Sequence, residues 1–251
     1  MRLNEEFVFV HRKSAVQLFS EFMINQMFVW PFKFIRWCFC KIRDKRYDID
    51  FSDYSDDEWD EEDYLMENVL DRAIVFATEA HEGQYRQGTD IAYILHPLEA
   101  ATIVGTITTD SEVIAGAVLH DVVEDTDITI NEIYEMFGER VAYLVDSESE
   151  DKREHLAAQS TWKIRKQETL DHLKNAPLDV KMITLGDKLS NIRAINRDYN
   201  AIGDILWQRF NQKDKNEHYW YYQSIADCLS ELSEYHVYQE YCELVKKTFT
   251  T

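Results

Sequence analysis

The sequence has few of the residues that interrupt regular secondary structure. Only 7 of its 251 residues are glycine and only 3 are proline. Folds with many turns need these residues at the turns, so their scarcity favours long helices over a β fold. The chain is 45% hydrophobic and 13% aromatic, a composition typical of a globular protein with a full core. Composition therefore predicts an all-α fold.

Basic residues are also scarce: 27 Lys and Arg face 47 Asp and Glu, for a net charge of -20. This balance argues against broad nucleic-acid binding, because backbone phosphates need a basic surface to displace their counterions. An anionic small molecule can still bind where basic residues collect locally. Half of the excess charge lies between Asp48 and Asp63, where ten acids occur without a Lys or Arg, as in a solvated linker.

The cysteines do not form a metal-binding or disulfide pattern. There are four in the chain, and Cys38-x-Cys40 has no second pair nearby. A reducing compartment is the simplest inference, so we expect a cytoplasmic protein. A Gly-rich phosphate loop, a dinucleotide-binding fingerprint and a nucleophile elbow are absent as well. Side chains must therefore supply the chemistry.

The amino-terminal residues differ in composition from the rest of the chain. Residues 18–40 are rich in Phe, Trp, Ile and Met but lack the cleavage pattern of a secretory signal. Their charges disfavour a membrane span. Residues 1–46 are instead candidates for peripheral membrane contact, or for packing on the main domain itself or on a protein partner. We expect two parts, an aromatic and basic segment with an acidic linker over 1–60, and a main domain over 61–251.

Helical periodicity and cap residues divide the main domain. Apolar spacing predicts a first helix over residues 61–81, and a loop over 84–95 leads to Pro97 in the first turn of a second helix. Asp110 or Ser111 can cap a third helix that ends near Asp121. Thr129-Ile-Asn-Glu132 is a capping-box pattern. A long helix is predicted beyond residue 177, and two or three more complete the chain.

Two histidines and two aspartates are the candidate metal ligands. His120 and Asp121 are adjacent at the end of a predicted helix, His96 stands at a helix entrance, and Asp187 lies on an apolar-flanked helix. Together they offer a mixed nitrogen and oxygen ligand set that suits Mn, Fe or Zn. Glu124 follows His120 by four residues, so a helix continuing that far would place both on one face.

These motifs resemble a known family. His96-Pro97, His120-Asp121 and Asp187 are similar to the H…HD…D signature of the HD superfamily. Four longer sequence motifs resemble the hydrolase domain of Rel/SpoT-type (p)ppGpp 3′-pyrophosphohydrolases and their single-domain relatives, the small alarmone hydrolases. These motifs are His81-Glu-Gly-Gln-Tyr-Arg86, Tyr93-Ile-Leu-His96-Pro97, Leu119-His-Asp-Val-Val-Glu-Asp-Thr126 and Gly186-Asp-Lys-Leu-Ser-Asn-Ile-Arg193. The resemblance covers residues 65–196. The sequence shows no counterpart of the synthetase and regulatory domains of the long family members.

The resemblance implies an HD-domain helical bundle with an amino-terminal extension. It implies hydrolysis of the 3′-pyrophosphate of (p)ppGpp to GDP or GTP and pyrophosphate. One metal ion, usually Mn²⁺ in this family, would be held by His96, His120, Asp121 and Asp187. The family's acidic pair corresponds to Glu124 and Asp125, which would position or deprotonate the attacking water.

Substrate contacts are also implied by the resemblance. Asn191 matches a substrate-contacting residue, and Arg86 matches an arginine that stacks on the guanine base. Three basic residues that the resemblance does not include, Lys163, Arg165 and Lys166, form a local basic group that could bind the 5′-diphosphate. The charged face of an ordinary amphipathic helix would show the same pattern.

The loop before His96 departs from the family pattern, with Gln87 and with Ile-Ala-Tyr over 91–93. Two alternatives therefore stay open. The chain could hydrolyse another nucleotide, such as an adenosine alarmone, or it could be an antitoxin-like protein that binds a partner through residues 1–46. A homo-oligomer is also compatible with the sequence.

Overall fold

The computed structural model describes residues 68–150, 153 and 158–250. Residues 1–46, the acidic linker and the predicted boundary at residue 60 lie outside this described part. Within it the structure has ten α-helices, two 3₁₀ segments (Gly203–Arg209 and Ser230–Leu232) and no β-strand. The all-α prediction is confirmed for these residues. The helices are α1 Val69–Ala80, α2 Leu95–Val104, α3 Ser111–Leu119, α4 Val122–Asp125, α5 Ile130–Phe137, α6 Glu139–Glu148, α7 Ala158–Leu173, α8 Leu178–Ile202, α9 Lys215–Cys228 and α10 His236–Phe249.

The predicted helix caps are present in the structure. Asp110 caps α3 by accepting a hydrogen bond from the backbone N–H of Glu112. Thr129 and Glu132 form the reciprocal capping box of α5, which satisfies two backbone N–H groups that a helix start leaves free. Gly138 then ends α5 with a φ of 87°, a conformation that disfavours side chains. Local sequence therefore sets these boundaries.

The helix that carries the His-Asp pair does not continue to Glu124. α3 ends at Leu119 and α4 begins at Val122, with Asp121 between them at φ -95° and ψ -6°. This backbone region is sparsely populated, and it separates α3 from α4. The end of α3 therefore agrees with the helix end predicted near Asp121. The two acids after the pair belong to the short helix α4.

α8 is the central helix of the described domain. It packs against α2 and α10, and it also contacts α3 and α6. Gly186 allows α8 to approach α2 closely, since a Cβ there would be 2.7 Å from the Ala100 carbonyl oxygen. The helix order therefore brings the start of α2, the end of α3 and the middle of α8 together, and these are the segments with the candidate metal ligands.

Aromatic side chains fill the space between α9, α10 and the first 3₁₀ segment. Trp207 stacks on His218 and on Phe249, with ring centroids 5.2 Å and 5.6 Å apart. Tyr221 and Tyr222 are buried as well. These side chains are core residues, as their types and spacing suggest.

Two further observations bear on the sequence expectations. Cys228 and Cys242 are half-buried free thiols, while Cys38 and Cys40 lie outside the described residues. Among the residues that the structure describes, no helix has the length and hydropathy needed to cross a bilayer.

Gly116 on α3 should be intolerant of a larger side chain. A Cβ there would lie 3.0 Å from Ile183 Cδ1 and 3.2 Å from Leu144 Cβ, both in the core. We expect Gly116→Val to lower the free energy of unfolding by about 1 to 3 kcal/mol through overpacking. Urea denaturation measures the change. Thr102→Val at an exposed position of α2 is the control and should change stability by less than about 0.5 kcal/mol; equal effects would contradict the prediction.

Candidate functional site

The four predicted metal ligands meet in one cavity. His96 Nε2 lies 3.1 Å from Asp187 Oδ1 and 3.5 Å from Asp121 Oδ2. His120 Nε2 lies 3.1 Å from Asp121 Oδ2 and 3.8 Å from Asp187 Oδ1. The donor atoms of His96, His120 and Asp187 are all within 4.8 Å of one another. Three separate helical segments thus deliver two imidazoles and two carboxylates to one point.

The hydrogen bonds of both histidines direct Nε2 into this cluster. His120 Nδ1 is 2.8 Å from the carbonyl oxygen of Ala117, which can only accept, so Nδ1 carries the proton. Ser190 Oγ donates to Glu99 Oε2 at 2.8 Å, so it accepts from His96 Nδ1, also at 2.8 Å. In the neutral imidazoles, each Nε2 therefore presents a lone pair to the carboxylates, the usual arrangement of metal-binding histidines.

Buried lone pairs that face carboxylates need a cation between them. His120 Nε2 is buried and has no well-aligned hydrogen bond. Burial lowers the pKa of His120, but the carboxylates of Asp121 and Asp187 outweigh it and raise that pKa well above its ordinary value. The cluster therefore attracts positive charge. The donor atoms of His96, His120 and Asp187 are close enough together for one divalent ion, so this donor set fits a metal.

Tyr93 is a site residue that the sequence analysis did not single out. Its hydroxyl lies 2.7 Å from Asp121 Oδ2 and 2.7 Å from Asp125 Oδ2. Burial and the two carboxylates raise the pKa of Tyr93 well above its ordinary value, so the phenol stays neutral and donates. The sequence offered one signal for Tyr93: it lies three residues before His96, within the motif Tyr93-Ile-Leu-His96-Pro97.

The two predicted catalytic acids, Glu124 and Asp125, line the same cavity. Gln84 Nε2 donates to the carbonyl oxygen of Asp125 at 2.8 Å, and Gln84 Oε1 accepts from His81 Nδ1 at 2.8 Å. The His81 ring packs on Tyr93, with centroids 4.9 Å apart. His81 thus ends α1 as expected and also supports the segment that holds the acids.

Arg86 and Asn191 lie together at the cavity. Arg86 NH2 donates to Asn191 Oδ1 at 2.5 Å, and its guanidinium lies 5.6 Å from the centre of the Tyr93 ring. The amide of Asn191 donates to Asp187 Oδ1. On the other side, Lys188 Nζ is 2.5 Å from Asp187 Oδ2. Asn191 therefore contacts a predicted ligand directly, and Arg86 is linked to that ligand through Asn191.

The basic group on α7 is divided by the fold. Lys166 and Glu150 line the cavity. Arg165 and Lys166 both form ion pairs with the Glu150 carboxylate. Lys163 lies outside the lining: its Nζ is 2.5 Å from Glu217 Oε2 and 3.2 Å from the centre of the Trp220 ring. The sequence analysis missed two lining acids, Glu148 and Glu150, because they stand in no spacing that is typical of metal or substrate ligands.

Comparison with known proteins agrees with this geometry. The model of the HD domain family matches residues 73–209, which include the four candidate ligands. The chain belongs to the HD domain family. This HD domain is 38% identical over 133 residues to the guanosine-3′,5′-bis(diphosphate) 3′-pyrophosphohydrolase MESH1 of Danio rerio, covering 51% of this chain and 70% of that protein. It is 48% identical over 77 residues to an Aquifex aeolicus enzyme of the same name, covering 31% of this chain but only 11% of that protein.

Solved structures share the fold of this HD domain. A metazoan ortholog of SpoT that hydrolyses ppGpp superposes with a TM-score of 0.58 at 25% identity, covering 71% of this chain and 94% of that one. A Listeria monocytogenes protein gives a TM-score of 0.55 at 31% identity, covering 62% of this chain and 99% of that one.

Ser190 should tune metal affinity without touching the metal. Ser190→Ala removes the acceptor that fixes the His96 ring, and we expect metal affinity to fall by about 10- to 100-fold. Titration calorimetry with Mn²⁺ measures this change. The control is Ser147→Ala, because Ser147 also lines the cavity but donates only to the Tyr143 carbonyl oxygen of its own helix. An unchanged affinity in Ser190→Ala would contradict the tautomer assignment.

Glu148 should make the metal-free protein less stable as pH rises. Burial raises the pKa of Glu148 from 4.5 to about 7, against opposing effects of the Thr184 hydrogen bond and Lys188. Between these pH values the folded state keeps a proton that the unfolded chain releases, so stability falls through this window and stays lower above it. We expect Glu148→Gln to add roughly 2 to 3 kcal/mol to the free energy of unfolding at pH 8, and little at pH 4.

Urea denaturation in the presence of a chelator, at a series of pH values, tests this effect. Glu135→Gln is the control, since Glu135 is exposed on α5 and makes the same acid-to-amide change. A stabilisation by Glu148→Gln that does not vary with pH would refute the role of its ionisation.

Proposed function

We propose that this protein is a metal-dependent hydrolase that removes the 3′-pyrophosphate of (p)ppGpp and leaves GDP or GTP. The observation that carries the proposal is the meeting of His96, His120, Asp121 and Asp187 in one cavity lined by Glu124 and Asp125. The relatives named for this reaction support the substrate. A small-molecule nucleotide is therefore the partner, and the cytoplasm is the compartment that we propose for the reaction.

The four ligands would hold one divalent ion, for which we propose Mn²⁺. When bound, such an ion makes a water molecule more acidic and offsets charge on the phosphate oxygens. Glu124 and Asp125, which line the cavity, would accept the proton of the attacking water. The Tyr93 hydroxyl, at 2.7 Å from a carboxylate oxygen of Asp125, would hold that acid in position.

The proposed reaction is a balanced hydrolysis. The oxygen of water bonds to the phosphorus attached to the ribose 3′ oxygen, and the bond between that phosphorus and the 3′ oxygen breaks. The proton accepted by the acidic pair passes to the departing 3′ oxygen, so the products are the 5′-phosphorylated nucleoside and pyrophosphate. Arg86 and Asn191 would orient the nucleotide, the guanidinium by stacking on the base and the amide by hydrogen bonding.

A second substrate is favoured by one specific feature. The loop that carries Arg86 has Gln87 and Ile91-Ala92, unlike the family pattern, and its turn is closed by a 2.8 Å hydrogen bond from the Arg86 N–H to the Ile91 carbonyl oxygen. This loop would contact the base, so an adenine alarmone is the alternative. A partner-binding role for residues 1–46 concerns a segment outside the described residues.

Product analysis tests the proposed reaction. Mn²⁺-loaded protein incubated with ppGpp should release GDP and pyrophosphate, which anion-exchange chromatography separates. Glu124→Gln should lower kcat by about 100-fold or more, because the acid that accepts the proton is lost. Glu135→Gln is the matched control and should keep full activity.

Metal content must be measured beside activity, since Glu124→Gln is expected to retain the ion. Parallel reactions with the adenine alarmone separate the two substrates. Intact ppGpp after incubation with folded, metal-loaded protein, together with cleavage of another phosphate ester, would refute the proposal.

A further inference from the structure

The carboxylate of Glu150 is the meeting point of three hydrogen-bond donors. Arg165 NH1 lies 3.0 Å from Glu150 Oε2, and Lys166 Nζ lies 2.6 Å from Glu150 Oε1. The Thr169 hydroxyl donates to the same Oε1 at 2.9 Å. A guanidinium, an ammonium and a hydroxyl that converge on a pair of oxygens form the arrangement that also recognises a phosphoryl group.

This cluster is sheltered from solvent and opens on the candidate active site. The side chains of Glu150 and Arg165 are 12% and 11% exposed, and that of Lys166 is 18% exposed. Glu150, Lys166 and Thr169 line the same cavity as the candidate metal ligands. Burial raises the pKa of Glu150, but Lys166, Lys188 and Thr169 together outweigh burial and lower that pKa, so the carboxylate is ionised near neutral pH.

The cavity has a surplus of negative charge for a site that receives a polyphosphate. Its lining contains six acids and three Lys or Arg residues, namely Asp121, Glu124, Asp125, Glu148, Glu150 and Asp187 against Arg86, Lys166 and Lys188. A divalent ion offsets only part of this excess. Lys166 is already paired with Glu150, and Lys188 is paired with Asp187. An incoming phosphate must therefore compete with a carboxylate for these cations.

We propose that Glu150 is a specificity-determining residue that occupies an anion subsite formed by Arg165, Lys166 and Thr169. The inference rests on the proposed hydrolysis of a nucleoside 3′-pyrophosphate. The 5′-phosphates of the substrate must displace the Glu150 carboxylate to reach the three donors. The displaced carboxylate stays in the cavity, where it repels each additional phosphate charge. The enzyme therefore selects against a 5′-triphosphate relative to a 5′-diphosphate.

The same helix provides a matched ion pair for comparison. Lys163 Nζ pairs with Glu217 Oε2 at 2.5 Å, as Lys166 does with Glu150, but Lys163 and Glu217 do not line the cavity. Glu217→Gln removes the same charge as Glu150→Gln and frees one lysine of α7. Any effect of net charge alone should appear in both variants.

Direct binding of GDP and GTP to the Mn²⁺-loaded protein tests the proposal, because neither carries a 3′-pyrophosphate that can be hydrolysed. In titration calorimetry we expect Glu150→Gln to bind both nucleotides on the order of tenfold more tightly, with the larger gain for GTP. Glu217→Gln should bind as the wild type does. Lys166→Met added to Glu150→Gln should abolish the gain.

The proposal is overturned if Glu150→Gln binds no more tightly than wild type, if Glu217→Gln gains as much, or if neither nucleotide binds to either protein. If Glu150→Gln proves poorly folded, Glu150→Asp replaces it: the shorter acid reaches Lys166 less well and should give a smaller gain. An affinity equal to that of wild type would then count against the proposal. If the wild-type protein does not hydrolyse ppGpp, the proposed function is rejected. The binding experiment is independent of that result, because it measures nucleotide affinity without turnover.

Discussion

The burial of two imidazole nitrogens against two carboxylates is the constraint on which the candidate site depends. Each histidine has its Nδ1 proton committed to a fixed acceptor, so each Nε2 points into the cluster. Without a cation the arrangement is costly, because buried lone pairs would face one another across 3.1 to 3.8 Å. The protein therefore holds a binding geometry whose electrostatics favour a divalent ion, and the surrounding helices must supply the rigidity.

That rigidity comes from hydrogen bonds and ion pairs that link the site to α10. Glu99 accepts from Ser190 and is 3.0 Å from Arg193 NH1, and Arg193 also pairs with Glu240 of α10 through two contacts of 2.7 and 2.8 Å. The orientation of His96 is thus coupled to the packing of α2, α8 and α10. Acids other than the candidate ligands also line the cavity and make it strongly negative. Among them, Glu150 is the residue that we propose to influence which nucleotide binds.

Much of the fold was predictable because its signals are local. Apolar spacing, the cap at Asp110 and the capping box at Thr129 act within one or two helical turns, and the structure confirms them. The sequence also predicted the end of α3 near Asp121, but it did not predict the short helix α4 that follows. A helix of four residues is too short to show an apolar period, so no local signal marks it.

The sequence by itself determined the all-α class, the family and the set of ligand types, because these depend on composition, periodicity and ordered motifs. Tertiary structure alone decided that Tyr93 bridges two carboxylates, that Glu150 gathers Arg165 and Lys166, and that Lys163 points elsewhere. The residues that form these contacts are 15 to 54 positions apart in the sequence. Spacing along the chain carries no information about such contacts, since only the packing of helices brings them within hydrogen-bond distance.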